Sequence, residues 1–385
     1  MKVKFKFFLF LTLTLIFCAG CSAENKGIPE KAPEINGYEF LKRDENKYAQ
    51  KFAIDRYDGG YSIIHTMNSE SFLIVPQGME IPQCSDDDIT VLQQPMTDIY
   101  LVATSAMGLF DELGSGDVIK FSGTKAEDWC IDYARNAMEK GDMLYAGKYR
   151  EPDYELLMKN KCRLSVQSSM IGHSPEVKDK LEELGIDVFV DYSSYEPHPL
   201  GRSEWVKVYG EICGKTDTAN ELFNAQTAVL ENLVQTGEEP RTVVYFYIST
   251  SGQAVTRKSG DYVTKMIELA GGKNVFENIG DDKKATSTVT MEMEEFYRTA
   301  RDADFIIYNS TISGQVGSIE ELVSKNELLA DFKAVKNGDV WCTHENLFQE
   351  TLKLGQVIND FNLIFSGETE NRSPEFLFRL ENGGE

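Results

Sequence analysis

Histidine is scarce in this chain, with four in 385 residues, and positive charge is outnumbered, 39 Lys and Arg against 62 Asp and Glu. His65, His173, His198 and His344 lie far apart with no ligand spacing. His198 beside Glu196 reads as a surface pair. A site for bare zinc or manganese needs several His and carboxylate ligands around one cleft, so no directly bound metal is expected. The net charge of −23 argues against nucleic acid, which needs basic patches. The cysteines beyond Cys21 are Cys84, Cys130, Cys162, Cys213 and Cys342. They are scattered, odd in number and without CxxC form, so neither a zinc site nor a disulfide framework is indicated. Most read as buried thiols, with one oxidised pair left open. GxSxG, HExxH, Walker and GxGxxG motifs are all missing. Gly271-Gly272 ends a helix, whereas a phosphate cradle begins one. No catalytic residue and no cofactor is assigned. No repeat with a period of 20–50 residues is present.

Long apolar runs are also lacking, with one exception. Phe7 to Phe17 is apolar, follows Lys2, Lys4 and Lys6, and ends at Cys18-Ala19-Gly20-Cys21. That order is an export signal, too short to span a bilayer as a mature helix. Small residues before a cysteine resemble the bacterial lipobox, although Cys18 stands where Leu is usual. Such a motif implies diacylation of the Cys21 thiol, which becomes the new N-terminus. The polar stretch from Ser22, bearing Pro and Gly, then reads as a tether. Loss of the three lysines takes the mature charge from −23 to about −26. So acidic a body is kept off an anionic membrane, so the lipid must do the anchoring.

From Phe52 the chain reads as strands, Phe52 to Met67 and Ser71 to Val75, with a turn at Asp58-Gly59-Gly60. A short strand from Ile89 meets Pro95, and an amphipathic helix is expected over Thr97 to Leu113. Strands follow at Val118 to Phe121, Arg163 to Gln167 and Ile186 to Val190. Ser174-Pro175 starts a helix that Gly185 closes. Strand, helix, glycine, strand is a βαβ unit and implies a parallel sheet. Arg202 to Val234 holds helices only. Then the grammar restarts: strand Thr242 to Ile248, polar loop Ser249 to Gly260, helix Asp261 to Leu269, and helix Met291 to Arg301 capped by Thr290. Strands Phe305 to Asn309 and Val340 to Thr343 and a helix Phe348 to Phe365 complete it. The expected organisation is a signal (1–21), a tether (22–48), an N-terminal α/β lobe (49–200), a helical connector (201–236), a C-terminal α/β lobe (237–367) and a partly disordered acidic tail (368–385). The expected fold class is α/β, two Rossmann-like lobes with parallel-rich sheets joined by a rigid helical connector.

Four stretches carry a family resemblance. Ser174-Pro-Glu-Val-Lys-Asp-Lys-Leu-Glu-Glu-Leu-Gly-Ile-Asp-Val places a helix before "Leu-Gly-Ile-x-Val". Tyr192 to Lys207 resembles a passage from lobe to connector. Ser259 to Phe276 contains Leu-Ala-Gly-Gly-Lys-Asn-Val-Phe, and Ala303-Asp-Phe-Ile-Ile-Tyr resembles a "Pro-Asp-Val-Ile" strand entry. Together they resemble the helix-linked substrate-binding lipoproteins of ABC importers, the class that takes ferric siderophores, haem and vitamin B12. The match runs from about Ile89 to Phe365. It implies a monomeric, lipid-anchored receptor on the outer face of the cell membrane, without enzymatic turnover, that delivers an iron(III)-siderophore-type chelate to an ABC permease. A corrinoid or haem is the alternative ligand. An extracellular α/β enzyme and a ligand-free sensory lipoprotein are the rival classes.

A cleft between α/β lobes is lined by loops at strand C-termini. Those loops supply the expected ligand-binding residues: Trp129, Tyr149, Arg150, Met170, Tyr195, Arg257, Lys258, Tyr262, Asn309 and Phe348. The aromatics can stack on a flat ligand, and Arg257 with Lys258, taken as exposed, can meet its negative charge. In the resembled family one Glu on each lobe tip pairs with permease arginines. The matching positions are Glu176 and Glu292, with Glu294 or Glu295 as alternatives to the latter. First-turn acids also offset a helix dipole, and both roles are compatible.

Overall fold

A computed structural model describes residues 27–86, 88–234, 239–276, 278–279 and 287–383. Cys21, the export signal and the first residues of the expected tether lie outside the described residues.

The N-terminal sheet comprises β1 (Phe40–Arg43), β2 (Phe52–Tyr57), β3 (Ser62–Thr66), β4 (Ser71–Val75) and β5 (Thr90–Gln93), in that spatial order. β1 to β4 pair antiparallel and β5 lies parallel to β4. Alternation splits its side chains between two cores. Phe52, Ile54, Ile64, Phe72, Ile74 and Leu92 pack into the N-terminal lobe. Tyr57, Ile63, Leu73 and Val75 form an outer core with Ile35 and Tyr61. The expected tether over 22–48 is therefore corrected. Its described part holds Ile35, which is 3% exposed, and strand β1, whose Arg43 makes two bonds to the Asp55 carboxylate at 2.6 and 2.8 Å.

The second sheet is fully parallel, with β6 (Ile99–Leu101), β7 (Ile119–Ser122), β8 (Leu144–Tyr145), β9 (Leu164–Ser168) and β10 (Asp187–Asp191) in the order β10-β9-β6-β7-β8. The helix expected over Thr97 to Leu113 is corrected: its first part is β6, the central strand, and only Met107–Glu112 is α-helical. A strand covered on both faces is apolar throughout, so Ile99, Tyr100 and Leu101, each at most 1% exposed, carry no period-2 signal. Pro175 does open a helix, Pro175–Glu183.

Helices Pro199–Glu204, Val206–Cys213 and Thr216–Glu231 follow. The last joins the lobes physically: Ala219 and Phe223 sit in the N-terminal core, while Leu230 packs against both cores. A second crossing runs through Thr351–Lys353. Leu352 lies in the N-terminal core and Lys353 pairs with Glu112 at 2.9 Å.

The third sheet contains β11 (Arg241–Ile248), β12 (Ala254–Arg257), β13 (Gly272–Asn274), β14 (Thr288–Met291), β15 (Phe305–Tyr308), β16 (Val340–Thr343) and β17 (Leu377–Arg379). The order is β14-β12-β11-β15-β16-β17, with β13 beside the start of β11. β11, β15 and β16 are parallel, while β12 and β17 run antiparallel to their inner neighbours. Three corrections follow. The polar loop expected over Ser249 to Gly260 contains β12. The helix expected from Met291 is Met293–Ala300, with Glu292 at its N-cap position and Thr290 inside β14. The acidic tail is not disordered where it is described: Phe376 and Leu380 are buried, and β17 completes the sheet. The mixed α/β class with parallel-rich sheets is as expected.

Candidate functional site: a cleft between the lobes

Parallel sheets create a crevice where successive connections leave in opposite directions, because the adjacent loops then part over the strand ends. In the second sheet that point lies between β6 and β9. Ser105 follows β6 and Ser169 follows β9, and both line a cavity of about 440 Å³. Ser193, Ser194 and Tyr195, just after β10, extend the wall. The opposite wall comes from the C-terminal lobe: Arg257 at the end of β12, Asp261 and Tyr262 at the start of helix Tyr262–Leu269, and Leu347 and Phe348 after β16. Arg202, from the helix Pro199–Glu204, lies between the two.

Two guanidinium groups dominate the site. That of Arg202 lies 3.6 Å from the centre of the Tyr262 ring and donates to Ser194 O at 2.7 Å. That of Arg257 lies 5.3 Å from the Phe348 ring and 5.7 Å from the Tyr245 ring. Its Nη1 is 3.6 Å from Asp261 Oδ2. Asp261 also caps its helix by accepting from the Val263 N–H at 2.9 Å. Burial pulls the Arg202 guanidinium below its ordinary range, and the nearby charge of Arg257 adds to that. Burial acts on Arg257 in the same direction, but Asp261 and the surrounding tyrosines outweigh it and hold the charge. Asp261 is itself pushed up by burial, against the opposing pull of Arg257. Among the described residues lining the cavity, two guanidiniums thus face one carboxylate. The lining is net positive in a chain of net charge −23. It can accept an anion with flat faces.

Of the expected binding residues, the cleft gathers Tyr195, Arg257, Tyr262 and Phe348. Arg257 is not an exposed charge, however. It is 7% exposed, because the end of β12 turns it into the sheet rather than into a solvated loop. Lys258 is half-buried and outside the lining. Trp129 is a core residue, 2% exposed, whose indole N–H donates to Ser122 Oγ at 3.1 Å. Tyr149 and Arg150 stack on each other at 5.2 Å after the edge strand β8, outside the lining. Met170 is exposed next to Ser169 but does not line the cavity. Asn309 is buried and caps the short helix Ser310–Ser313, accepting from the Thr311 N–H and hydroxyl. Glu196 turns away from the cleft entirely. Arg202, Asp261, Ser105, Ser193 and Ser194 were not expected. Arg202 sits in a stretch that reads as helix, and nothing local marks its stacking on a ring sixty residues further along.

Glu176 and Glu292 are both exposed. Glu176 lies in the first turn of the helix that follows β9, so it stands at the cleft end of the second sheet. Glu292 follows β14, whose end pairs with Ala254 at the level of the end of β11. It accepts from Gln253 Nε2 at 2.6 Å. The five cysteines are unpaired, with Cys162 and Cys342 buried and the other three half-buried. Among the described residues no group of three or more His, Cys, Asp and Glu is placed to hold a metal ion.

Comparison with known proteins agrees with this architecture. The chain is 25% identical over 318 residues to an uncharacterized lipoprotein of Methanocaldococcus jannaschii, covering 78% of this chain and 77% of that one. The periplasmic haem-binding protein HutB of Vibrio cholerae shares the fold, with a TM-score of 0.56 at 17% identity, over 69% of this chain and 98% of that one. A periplasmic binding protein from Veillonella parvula gives 0.56 at 17% identity over 76% and 96%. Residues 102–347 match the model of the periplasmic binding protein family, an interval that holds both arginines and the cleft lining up to Leu347. The chain belongs to the periplasmic binding protein family.

Proposed function

We propose that this protein is the solute-binding component of an ABC importer, anchored by lipid at Cys21, and that its cleft captures an anionic iron(III) chelate of siderophore type for delivery to the permease. The observation that carries the reading is the pair Arg202 and Arg257, each set against aromatic rings, in a net positive cleft of a strongly acidic protein. A chelate built from planar, negatively charged oxygen donors offers both faces for stacking and charge for the guanidiniums. A cavity near 440 Å³ lies low in the usual range for small-molecule sites, about 300–1,000 Å³, which favours a compact chelate over a bulky corrinoid. Haem is the second reading, supported by its flat anionic form and by haem-binding proteins among the structural neighbours. Two crossings between the lobes favour binding with little lobe movement. Glu176 and Glu292, exposed at the cleft ends of the two lobes, are the proposed contacts to permease arginines.

The test is calorimetric titration of the mature protein with an iron(III) tris-catecholate, an uncharged iron(III) tris-hydroxamate, haemin and cyanocobalamin. The expected order puts the tris-catecholate first, with affinity falling as salt rises. A preference for haemin or cobalamin would replace the proposed ligand. Binding of none of the four would sink the reading of the cleft.

A further inference from the structure

Residues 47–51 precede the family match, and their backbone is neither helix nor strand except at its last residue's border with β2. Their five consecutive N–H groups therefore need partners from elsewhere. Two buried carboxylates supply all of them. Glu204 accepts from Lys47 N–H at 2.9 Å and from Tyr48 and Ala49 N–H at 2.8 Å each. Glu196 accepts from Gln50 N–H at 2.8 Å and Lys51 N–H at 2.9 Å, and from the Trp205 indole at 3.0 Å. Glu196 and Glu204 are 1% and 0% exposed. A buried carboxylate is costly unless such donors surround it, so acids and backbone hold one another in place. The grip is tightened by rings: Tyr48 stacks on His198 at 4.3 Å and 16°. It is also close, since a Cβ on Gly201 would stand 3.1 Å from Tyr48 O.

The same short piece of chain carries one wall of the cleft. Ser193, Ser194 and Tyr195 come directly before Glu196, and Arg202 lies between the two acids in sequence. Arg202 Nε donates to Glu196 O at 3.4 Å and its Nη2 to Ser194 O. Residues 193–204 thus face the N-terminal segment on one side and Tyr262 of the other lobe on the other.

We propose that residues 47–51, with Glu196 and Glu204, form a clasp that positions Arg202 against Tyr262, which makes the N-terminal sheet a working part of the ligand site. Glu196 and Glu204 are positioning residues and touch no ligand. The value of the clasp for ligand binding rests on the reading of the cleft given above, whereas its mechanical effect on Arg202 does not.

The experiment has two arms, both on the full mature chain. In the first, Glu196→Gln and Glu204→Gln are made singly, and Arg202 is labelled with phenylglyoxal and quantified by mass spectrometry. Each amide keeps the shape of the acid but turns an NH2 towards a donor. Amide hydrogen exchange over 47–51 reports whether the clasp has opened. Arg202 labelling should rise several-fold while Arg257, held by Asp261 and β12, stays at the parental level. Tyr48→Ala opens the clasp more gently and serves if either amide variant fails to fold. Unchanged Arg202 labelling in a variant whose 47–51 amides have lost protection would overturn the proposal. In the second arm, affinity for the trianionic iron(III) tris-catecholate should fall about tenfold, the equivalent of one charged hydrogen bond. Affinity for the uncharged tris-hydroxamate should hold, and Glu196→Gln should add nothing once Arg202→Gln is present. Additive losses would mean that the acids act on the fold alone and would overturn the proposal. If the parent binds neither chelate while labelling still rises, the clasp stands and the ligand reading falls.

Discussion

Arg257 and Asp261 are separated by 3.6 Å and both are more than nine-tenths buried, so neither can lose the other cheaply. Arg257→Ala leaves a carboxylate in a low-dielectric site with the Val263 N–H as its hydrogen-bond donor and the charge of Arg202 nearby. The expected loss of stability in the ligand-free protein is about 3 kcal/mol, read from urea denaturation. The double variant Arg257→Ala with Asp261→Asn should recover part of it, because the carboxylate that lost Arg257 is then neutral. An exposed arginine would behave otherwise, with stability nearly unchanged, and a flat result would contradict the buried pair. The sequence marked Arg257 as an informative cation in an acidic chain, and in the structure it lines the cavity between the lobes. Its burial was hidden because β12 is four residues long and lies among polar and glycine residues.

At the scale of elements, the closing strand hangs on one acid. Asp360, in the helix Leu354–Ser366, accepts through Oδ2 from Glu375 N–H at 2.8 Å and Phe376 N–H at 2.7 Å, just before β17. Burial nevertheless outweighs these bonds and raises its carboxyl from 3.8 to about 6. The folded chain therefore binds this proton more tightly than the unfolded chain does. By linkage, the contribution of Asp360 is most favourable below about pH 4 and is lost as pH rises to about 6, on the order of 2–3 kcal/mol. Asp55 and Asp304 act in the opposite sense, since Arg43 and Lys333 among other partners hold them below 3.8 despite burial. Asp360→Asn isolates the effect: its amide oxygen can take both backbone donors. That variant should be more stable than the parent at pH 7, and the difference should vanish near pH 4. Equal stability at both values would show that the acid stays ionised in the fold.

For the whole molecule, the proposed function has a lipid, a ligand and a permease engaged by one chain. Glu176→Ala with Glu292→Ala should leave chelate affinity intact and lower uptake by cells, because rim charges set orientation and encounter more than fold. Glu176 sits in a first helical turn, and a stability loss of about 0.3–1 kcal/mol is expected from the dipole alone. Glu292, at the N-cap, has a comparable position and in addition holds Gln253. Uptake is measured in cells whose membrane fraction is checked by mass spectrometry for diacylglyceryl at Cys21. Normal uptake at normal expression would leave these acids as helix-end residues only, and a soluble protein starting elsewhere would remove the anchor.

Local signals determined much of this molecule by themselves. Ser174-Pro175 and Gly185 bounded a helix because a rigid φ at its start and a left-handed residue after its end act within one turn of chain. Apolar runs separated by such punctuation were enough to specify two α/β lobes around a helical stretch. Other features depended on partners distant in sequence. β6 looked helical because burial on both faces erases alternation. The stretch from Ala32 to Arg43 looked like a linker, although Ile35, Tyr38 and β1 are ordered by strands that follow them. The tail looked partly disordered, although β16 offers Leu377–Arg379 an edge to pair with. Trp129 and Arg202 make the point most plainly, since each is polar enough for a cleft and flanked by similar residues. Packing within the N-terminal lobe decided that the indole fills a core, and packing of lobe on lobe that the guanidinium meets Tyr262 across the cleft, because burial is a property of neighbours in space.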